Sequence, residues 1–158
     1  MLETKLLILL VLANGFPILA DSWLGKRNQP LDSGYRWRDG RALLGCSKTV
    51  GGLSAALLFT PLSGWLLGWS LAFGFGFAIA AMLGDLLTSF IKRRLGLASS
   101  SSAVGLDQIP ESLLPLLFSR YFMPLDWSVI LLLLILFGIW ASLLSWLLFK
   151  MGIKNRPF

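Results

Sequence analysis

Residues 127–149 read WSVILLLLILFGIWASLLSWLLF, a run without a single charge. Coiled as an α-helix it is about 34 Å long, enough to cross the hydrocarbon core of a bilayer. A helix that is apolar on every side needs an apolar surround. Further apolar runs at 6–12, 53–58 and 69–83 accompany it, and 56% of the 158 residues are hydrophobic against 14% charged. A soluble fold of this size cannot hide so much apolar surface. The sequence therefore specifies an all-α integral membrane protein. It reads as one membrane-embedded domain over 1–158, with no room for a separate soluble unit.

Five spans are expected, at about 4–21, 49–66, 68–91, 108–124 and 127–149. The fourth is interrupted by Pro110, Glu111, Pro115 and Arg120, so it is short, tilted or re-entrant. The first could be a signal peptide, since Lys5 precedes an apolar core and "ILA" stands before Asp21. The thin positive region and the interruptions at Asn14 and Pro17 favour a first span instead.

Charge sets an orientation. Lys26, Arg27, Arg36, Arg38, Arg41 and Lys48 lie in the first loop, Lys92, Arg93 and Arg94 open the third, and Lys150, Lys154 and Arg156 follow the last span. Lys5 and Arg120 are the remaining cations. The positive-inside tendency puts the N-terminus outside, with the C-terminus and the loops 22–48 and 92–107 cytosolic. The chain is then a multi-pass protein of the cytoplasmic membrane. Its net charge of +6 is accounted for by this topology, and no nucleic-acid partner is expected. "ASSSSAVG", at 98–105, is a flexible connector or a lid.

With no histidine and one cysteine, Cys46, an internal disulfide, typical zinc sites and Ser-His triads are excluded. Chemistry must rest on carboxylates, hydroxyls, Lys, Arg and a hard metal ion. Small residues recur every fourth position at Gly76, Ala80 and Gly84, at Gly51 and Ala55, and at Gly52 and Ala56. This spacing lets helices approach closely, and it is expected to bring the cytosolic ends of spans two and three together.

"GDLLTSFIKRRLG", at 84–96, combines an apolar helix with Asp85, Ser89 and a basic cluster. Positions i, i+4 and i+7 put Asp85, Ser89 and Lys92 on one helical face. An acid at membrane depth costs about 2.5–3.5 kcal/mol on insertion scales and faces a partner or a cavity. A packing ion pair explains Asp85 as well as a functional site does. In "GLDQIP", Asp107 reads either as an N-cap or as a second acid on the same face. Two acids beside Lys and Arg suit Mg²⁺ with phosphates.

The first loop carries "LDSGYRWRDGRALLGCSKTVGG", at 31–52. It is not a P-loop, since two residues intrude between Gly45 and Lys48 and no strand precedes it. Lys48, Thr49, Gly51 and Gly52 open span two, where free backbone N–H groups would favour an anion. Asn14 and Pro17 share a face of span one. A kinked, polar face of this kind lines a pocket or is merely tolerated.

Taken together and in this order, "AN-G-P", "LDSGYRWRDGRALLGCSKTVGG", "GDLLTSFIKRRLG" and "GLDQIP" resemble the CDP-archaeol synthases, distant relatives of the CDP-diacylglycerol synthases. The resemblance implies a small five-span cytidylyltransferase that transfers CMP from CTP to a lipid phosphate, with Mg²⁺, releasing pyrophosphate. It implies that Asp85 and Asp107 hold the metal, with Lys92 among the catalytic residues. It also implies that Ser89, Arg93 and Arg94 belong to the same site, that Asp39, Gly40, Arg41, Lys48 and Thr49 close on the nucleotide, and that Asn14 lines the pocket. The acceptor is an isoprenoid ether or an acyl glycerol phosphate. A small anion transporter or an assembly subunit is the alternative from another class. Membrane lipids are the surround, and a homo-oligomer is compatible with the sequence.

Overall fold

The computed structural model describes residues 1–99 and 107–150. Five helices follow one another: α1 (Leu2–Leu24), α2 (Val50–Leu66), α3 (Leu71–Arg94), α4 (Gln108–Phe122) and α5 (Trp127–Lys150), with a short 3-10 turn at Gly25–Arg27 after α1. All five expected segments are helices, displaced by at most a few residues. α1, α3 and α5 are long and apolar enough to cross a membrane, and α2 is a shorter apolar helix. α4, at 15 residues, is the short element its prolines and charges foretold. The connector expected at 98–105 and the tail cations Lys154 and Arg156 fall largely or wholly outside the described residues.

The core runs through the middle of the bundle. Leu6, Leu9, Leu10 and Ala13 of α1 meet Ala56 of α2, Phe73, Phe77, Ala81 and Met82 of α3, Leu116 of α4, and Ile130, Leu133 and Phe137 of α5. Large apolar side chains remain exposed around it, among them Leu58, Leu62, Leu83, Leu131, Leu132 and Ile135. In water they would be a liability, whereas in lipid they are the ordinary outer surface.

α3 packs mainly on α2 and α4, and α2 packs on α1 as well as on α3. The small residues decide these approaches, but not all in the expected pairing. A Cβ at Gly84 would collide with the backbone of Pro110 and Glu111, and one at Gly76 with the Phe118 ring, all on α4. A Cβ at Gly51 would lie 2.6 Å from Asn28 Oδ1, and one at Gly52 3.3 Å from Pro17 Cβ. These stripes therefore join α3 to α4, and α2 to α1. α2 meets α3 near the opposite end, where a Cβ at Gly74 would sit 2.6 Å from Pro61 Cα. Small-residue spacing reports close approach and carries no information about which helix approaches.

Between α1 and α2, residues 28–49 form an ordered loop built around Asp32. Its Oδ2 accepts the N–H of Leu44 at 2.8 Å and of Gly45 at 3.0 Å, and its Oδ1 accepts that of Gly34 at 3.0 Å. Partial burial disfavours the ionised carboxyl, but these backbone donors outweigh it and hold the group below its usual pKa. Gly40 turns the loop back with φ 76°, which a side chain would resist. Leu43 N–H bonds to Tyr35 O at 2.9 Å across that turn. The acids and glycines interleaved with the cations are thus turn-formers of a folded loop.

Candidate active site

A cavity of about 510 Å³ opens among the ends of the helices and the first loop. Its polar half holds Asp85, Ser89 and Lys92 from α3, Asp107 and Glu111 from the start of α4, and Lys48 from the loop. One face of α3 therefore does present Asp85, Ser89 and Lys92 together, as the i, i+4, i+7 spacing requires. Asn14, Ser47, Thr49 and Asp21 also line it. The rest of the wall is largely apolar, from Val11, Ile18, Leu53, Met82, Leu86, Phe137, Trp140 and Leu144.

Two ion pairs organise the polar half. Lys48 Nζ bonds directly to Asp85 Oδ1, with the two side chains 21% and 15% exposed. Lys92 Nζ stands 2.9 Å from Asp107 Oδ1. Burial pushes the Lys48 pKa down, but Asp85 above all, then Glu111 and Asp107, outweigh it and hold the group above the ordinary lysine value. Lys48 therefore stays an ammonium throughout the physiological range. Asp107 does occupy the N-cap position of α4, yet its backbone is helical (φ −72°, ψ −48°) and its side chain makes no capping bond. It reaches across to α3 instead.

In the sequence Glu111 reads only as a break in an apolar run, yet the fold brings it onto the cavity wall. It lines the same cavity as Asp85, and the two acids lie close enough to influence each other. The clue was available, because Asp107 and Glu111 are four apart at the start of one helix and so share a face.

Several expected site residues are placed elsewhere. Arg94 Nη1 bonds to Asp39 Oδ1 at 2.6 Å, and Arg41 Nη1 to the carbonyl of Arg94. Arg93 is buried and donates to Ser99 Oγ at 2.6 Å and Ala98 O at 2.8 Å. Asp39, Gly40, Arg41, Arg93 and Arg94 do not line the cavity. Asp39, Arg41 and Arg94 fasten the loop onto the end of α3, with Trp37 edge-on to Phe90 at 5.7 Å between ring centres, while the Arg93 side chain ties α3 to the residues just after it. Successive residues on a helix are turned by about 100°, so Lys92, Arg93 and Arg94 cannot all face one site.

The amides expected to receive an anion at the start of α2 are also engaged. Val50 N–H bonds to Gln29 O at 3.0 Å, Gly51 N–H to Asn28 Oδ1 at 2.9 Å, and Gly52 N–H to Thr49 Oγ1 at 3.1 Å. Thr49 is a helix cap here, and this helix end offers no open cradle for a phosphate.

Carboxylates, ammonium groups and a hydroxyl on one cavity can bind phosphates and a hard cation. Asp85, Asp107 and Glu111 face two lysines, so the acids outnumber the bases on this wall. Among the described residues, no three acids converge closely enough to enclose a metal ion unaided. Mg²⁺ asks for less, since one or two carboxylates with substrate phosphate oxygens and water complete its shell. The donor set fits that ion.

Residues 5–158 match the family described as CarS-like, CDP-archaeol synthase. The CDP-archaeol synthase of Thermococcus onnurineus is 33% identical over 159 residues, covering 92% of this chain and 89% of its own. That of Pyrococcus furiosus is 35% identical over 160 residues, covering 92% and 90%. A solved structure, described as an intramembrane enzyme for archaeal membrane lipids biosynthesis, superposes with a TM-score of 0.68. It is 27% identical and covers 85% of this chain and 89% of that one.

Proposed function

The chain belongs to the CDP-archaeol synthase family, and on that premise we propose that it transfers CMP from CTP to a lipid phosphate at the cavity bounded by Asp85, Lys48, Lys92, Asp107 and Glu111. A phosphate oxygen of the lipid attacks the α-phosphorus of CTP. The bond to the β-phosphate oxygen breaks, and CDP-lipid and pyrophosphate leave. The attacking oxygen is already anionic, so no strong general base is required. Catalysis rests on charge neutralisation and in-line placement.

The observation that carries this reading is the joining of two different walls in one cavity. Its polar end holds both ion pairs, and its apolar wall runs on between α1, α3 and α5. Such a space suits a molecule with a phosphate head and hydrocarbon tails. Lys48 and Lys92 would neutralise the triphosphate and the departing pyrophosphate. Ser89 would donate to a phosphate oxygen. Asp85 and Asp107 would hold Mg²⁺, with Glu111 fixing Asp85. When bound, the ion would supply neutralisation of charge on the reacting phosphates. The positive-inside pattern supports a site facing the cytosol, where CTP is found. The acceptor we assign is an isoprenoid ether glycerol phosphate, the class implied by the relatives' name.

The test is incubation of the purified protein with CTP, MgCl₂ and a panel of isoprenoid ether and acyl glycerol phosphates. CDP-lipid is followed by mass spectrometry and pyrophosphate by a coupled assay. Equimolar CDP-lipid and pyrophosphate, strongest with the ether acceptor, are expected. Folded protein that turns over none of the panel overturns the reading, and faster turnover of phosphatidic acid reassigns the acceptor.

A further inference from the structure

A second polar cluster lies where the end of α1 meets the start of α2, with Asp21 and Thr49 on the cavity wall. Asp21 Oδ1 accepts the Thr49 hydroxyl and, at 2.6 Å, Asn28 Nδ2. Asn28 Nδ2 also donates to Thr49 Oγ1 at 2.9 Å, and Asn28 Oδ1 accepts the Gly51 N–H at 2.9 Å. Thr49 Oγ1 in turn accepts the Gly52 N–H at 3.1 Å. The hydroxyl thus gives its one proton to Asp21 and receives two bonds, while both ends of the Asn28 amide are used. The position of Gly51 is part of the same design, because a Cβ there would press on Asn28.

Lys48 is the residue next to this cap. Its carbonyl accepts from Leu31 N–H at 2.7 Å, and its N–H donates to Gly45 O at 3.3 Å. The backbone that launches the lysine is therefore held by the loop on one side and by the Asp21 cluster on the other. The side chain then crosses to Asp85 on α3.

We propose that Asp21 is a positioning residue for the transfer, which fixes the first turn of α2 through Thr49 and Asn28 and so holds the Lys48 ammonium at Asp85. The proposal rests on the reading of Lys48 and Asp85 as reacting-site groups, but its structural half can be measured separately. Both bonds to Asp21 end on one oxygen, so a single acceptor suffices and the negative charge is dispensable. A residue that bound metal or repelled substrate through its charge would behave in the opposite way.

The experiment compares Asp21→Ala with Asp21→Asn in the full-length protein, by steady-state kinetics and by acylation of Lys48 with an amine reagent, mapped by mass spectrometry without substrates. A reacting group displaced by about 1 Å can cost 10²-fold. Asp21→Ala is therefore expected to lower kcat by about 10- to 100-fold with a smaller change in KM, and to speed Lys48 acylation. Asp21→Asn is expected to restore both to within about threefold of the original protein. If Asp21→Ala does not fold, Thr49→Val against Thr49→Ser gives the same contrast, since serine keeps the hydroxyl. Unchanged Lys48 reactivity in the alanine or valine variant overturns the proposal, and so does an Asp21→Asn variant as impaired as Asp21→Ala. Absence of CMP transfer by the unaltered protein would remove the reaction, while Lys48 acylation would still decide whether Asp21 positions that side chain.

Discussion

The first loop and α3 are joined by two ion pairs of opposite polarity. At the rim the loop supplies the acid and the helix the base, Asp39 with Arg94. Inside the cavity the loop supplies the base and the helix the acid, Lys48 with Asp85. Asp39 is 39% exposed, whereas Asp85 is 15% exposed. Arg94 and Lys48 are equally shielded, at 21%, so the difference lies in the acids, and where the acid is exposed, water and salt take more of the Coulombic attraction. The shielded pair keeps more of it and presents it to whatever enters the cavity. The outer pair fastens and the inner pair is equipped to act, although a list of charged residues would show them as equals.

Asp85→Asn should separate the two regions most sharply. We expect loss of CMP transfer by about 10³-fold or more with helical circular dichroism unchanged, as for removal of a central electrostatic group. Retention of more than a tenth of the activity would place the chemistry elsewhere. Glu111→Gln is expected to cost about 10- to 100-fold, the range of a supporting partner behind a metal-binding carboxylate. Its apparent Mg²⁺ requirement should rise, as measured by titrating the ion at fixed CTP. Arg94→Ala should do far less. A pair with one exposed partner at the rim is worth about 0.2–1 kcal/mol, so about a fivefold effect is expected, growing weaker as salt is raised. An Arg94→Ala loss matching that of Asp85→Asn would erase the distinction between rim and cavity.

The smallest expected effect concerns Asp32. Its folded pKa is depressed, so its stabilising contribution is present above the unfolded value of about 4 and is lost as pH falls through the folded value. Thermal melts of the original protein should lose stability below about pH 4. Asp32→Asn should be slightly less stable at pH 7 and should show less of that acid dependence.

The number and limits of the helices were legible because long apolar runs leave a chain few alternatives in lipid. Asp85, Ser89 and Lys92 were legible through helical periodicity. Arg93 and Arg94 stand beside Lys92 in the sequence, but rotation about the helix axis sends Arg94 to the first loop and Arg93 to the residues that follow α3. Glu111 was obscured by the prolines around it, although its four-residue offset from Asp107 pointed to a shared face. Asp21 was hidden for another reason. Its partners are 7 and 28 positions away, and hydrogen bonds across such separations leave no periodic trace. The partner of each small-residue stripe was equally unreadable, because closeness was encoded without an address.

Gly84 also bears on how such an enzyme could be retargeted. With the Pro110–Glu111 backbone pressed against that glycine, the headgroup end of the cavity cannot be enlarged from α3 or α4 without parting Asp85 from Glu111. α5 is bound by no such constraint. Among the described residues its backbone comes close only to α1 and α4, and it gives the cavity Phe137, Trp140, Ala141 and Leu144 without a charge. Engineering toward bulkier or straighter hydrocarbon tails therefore begins with the last helix and leaves the charged wall untouched.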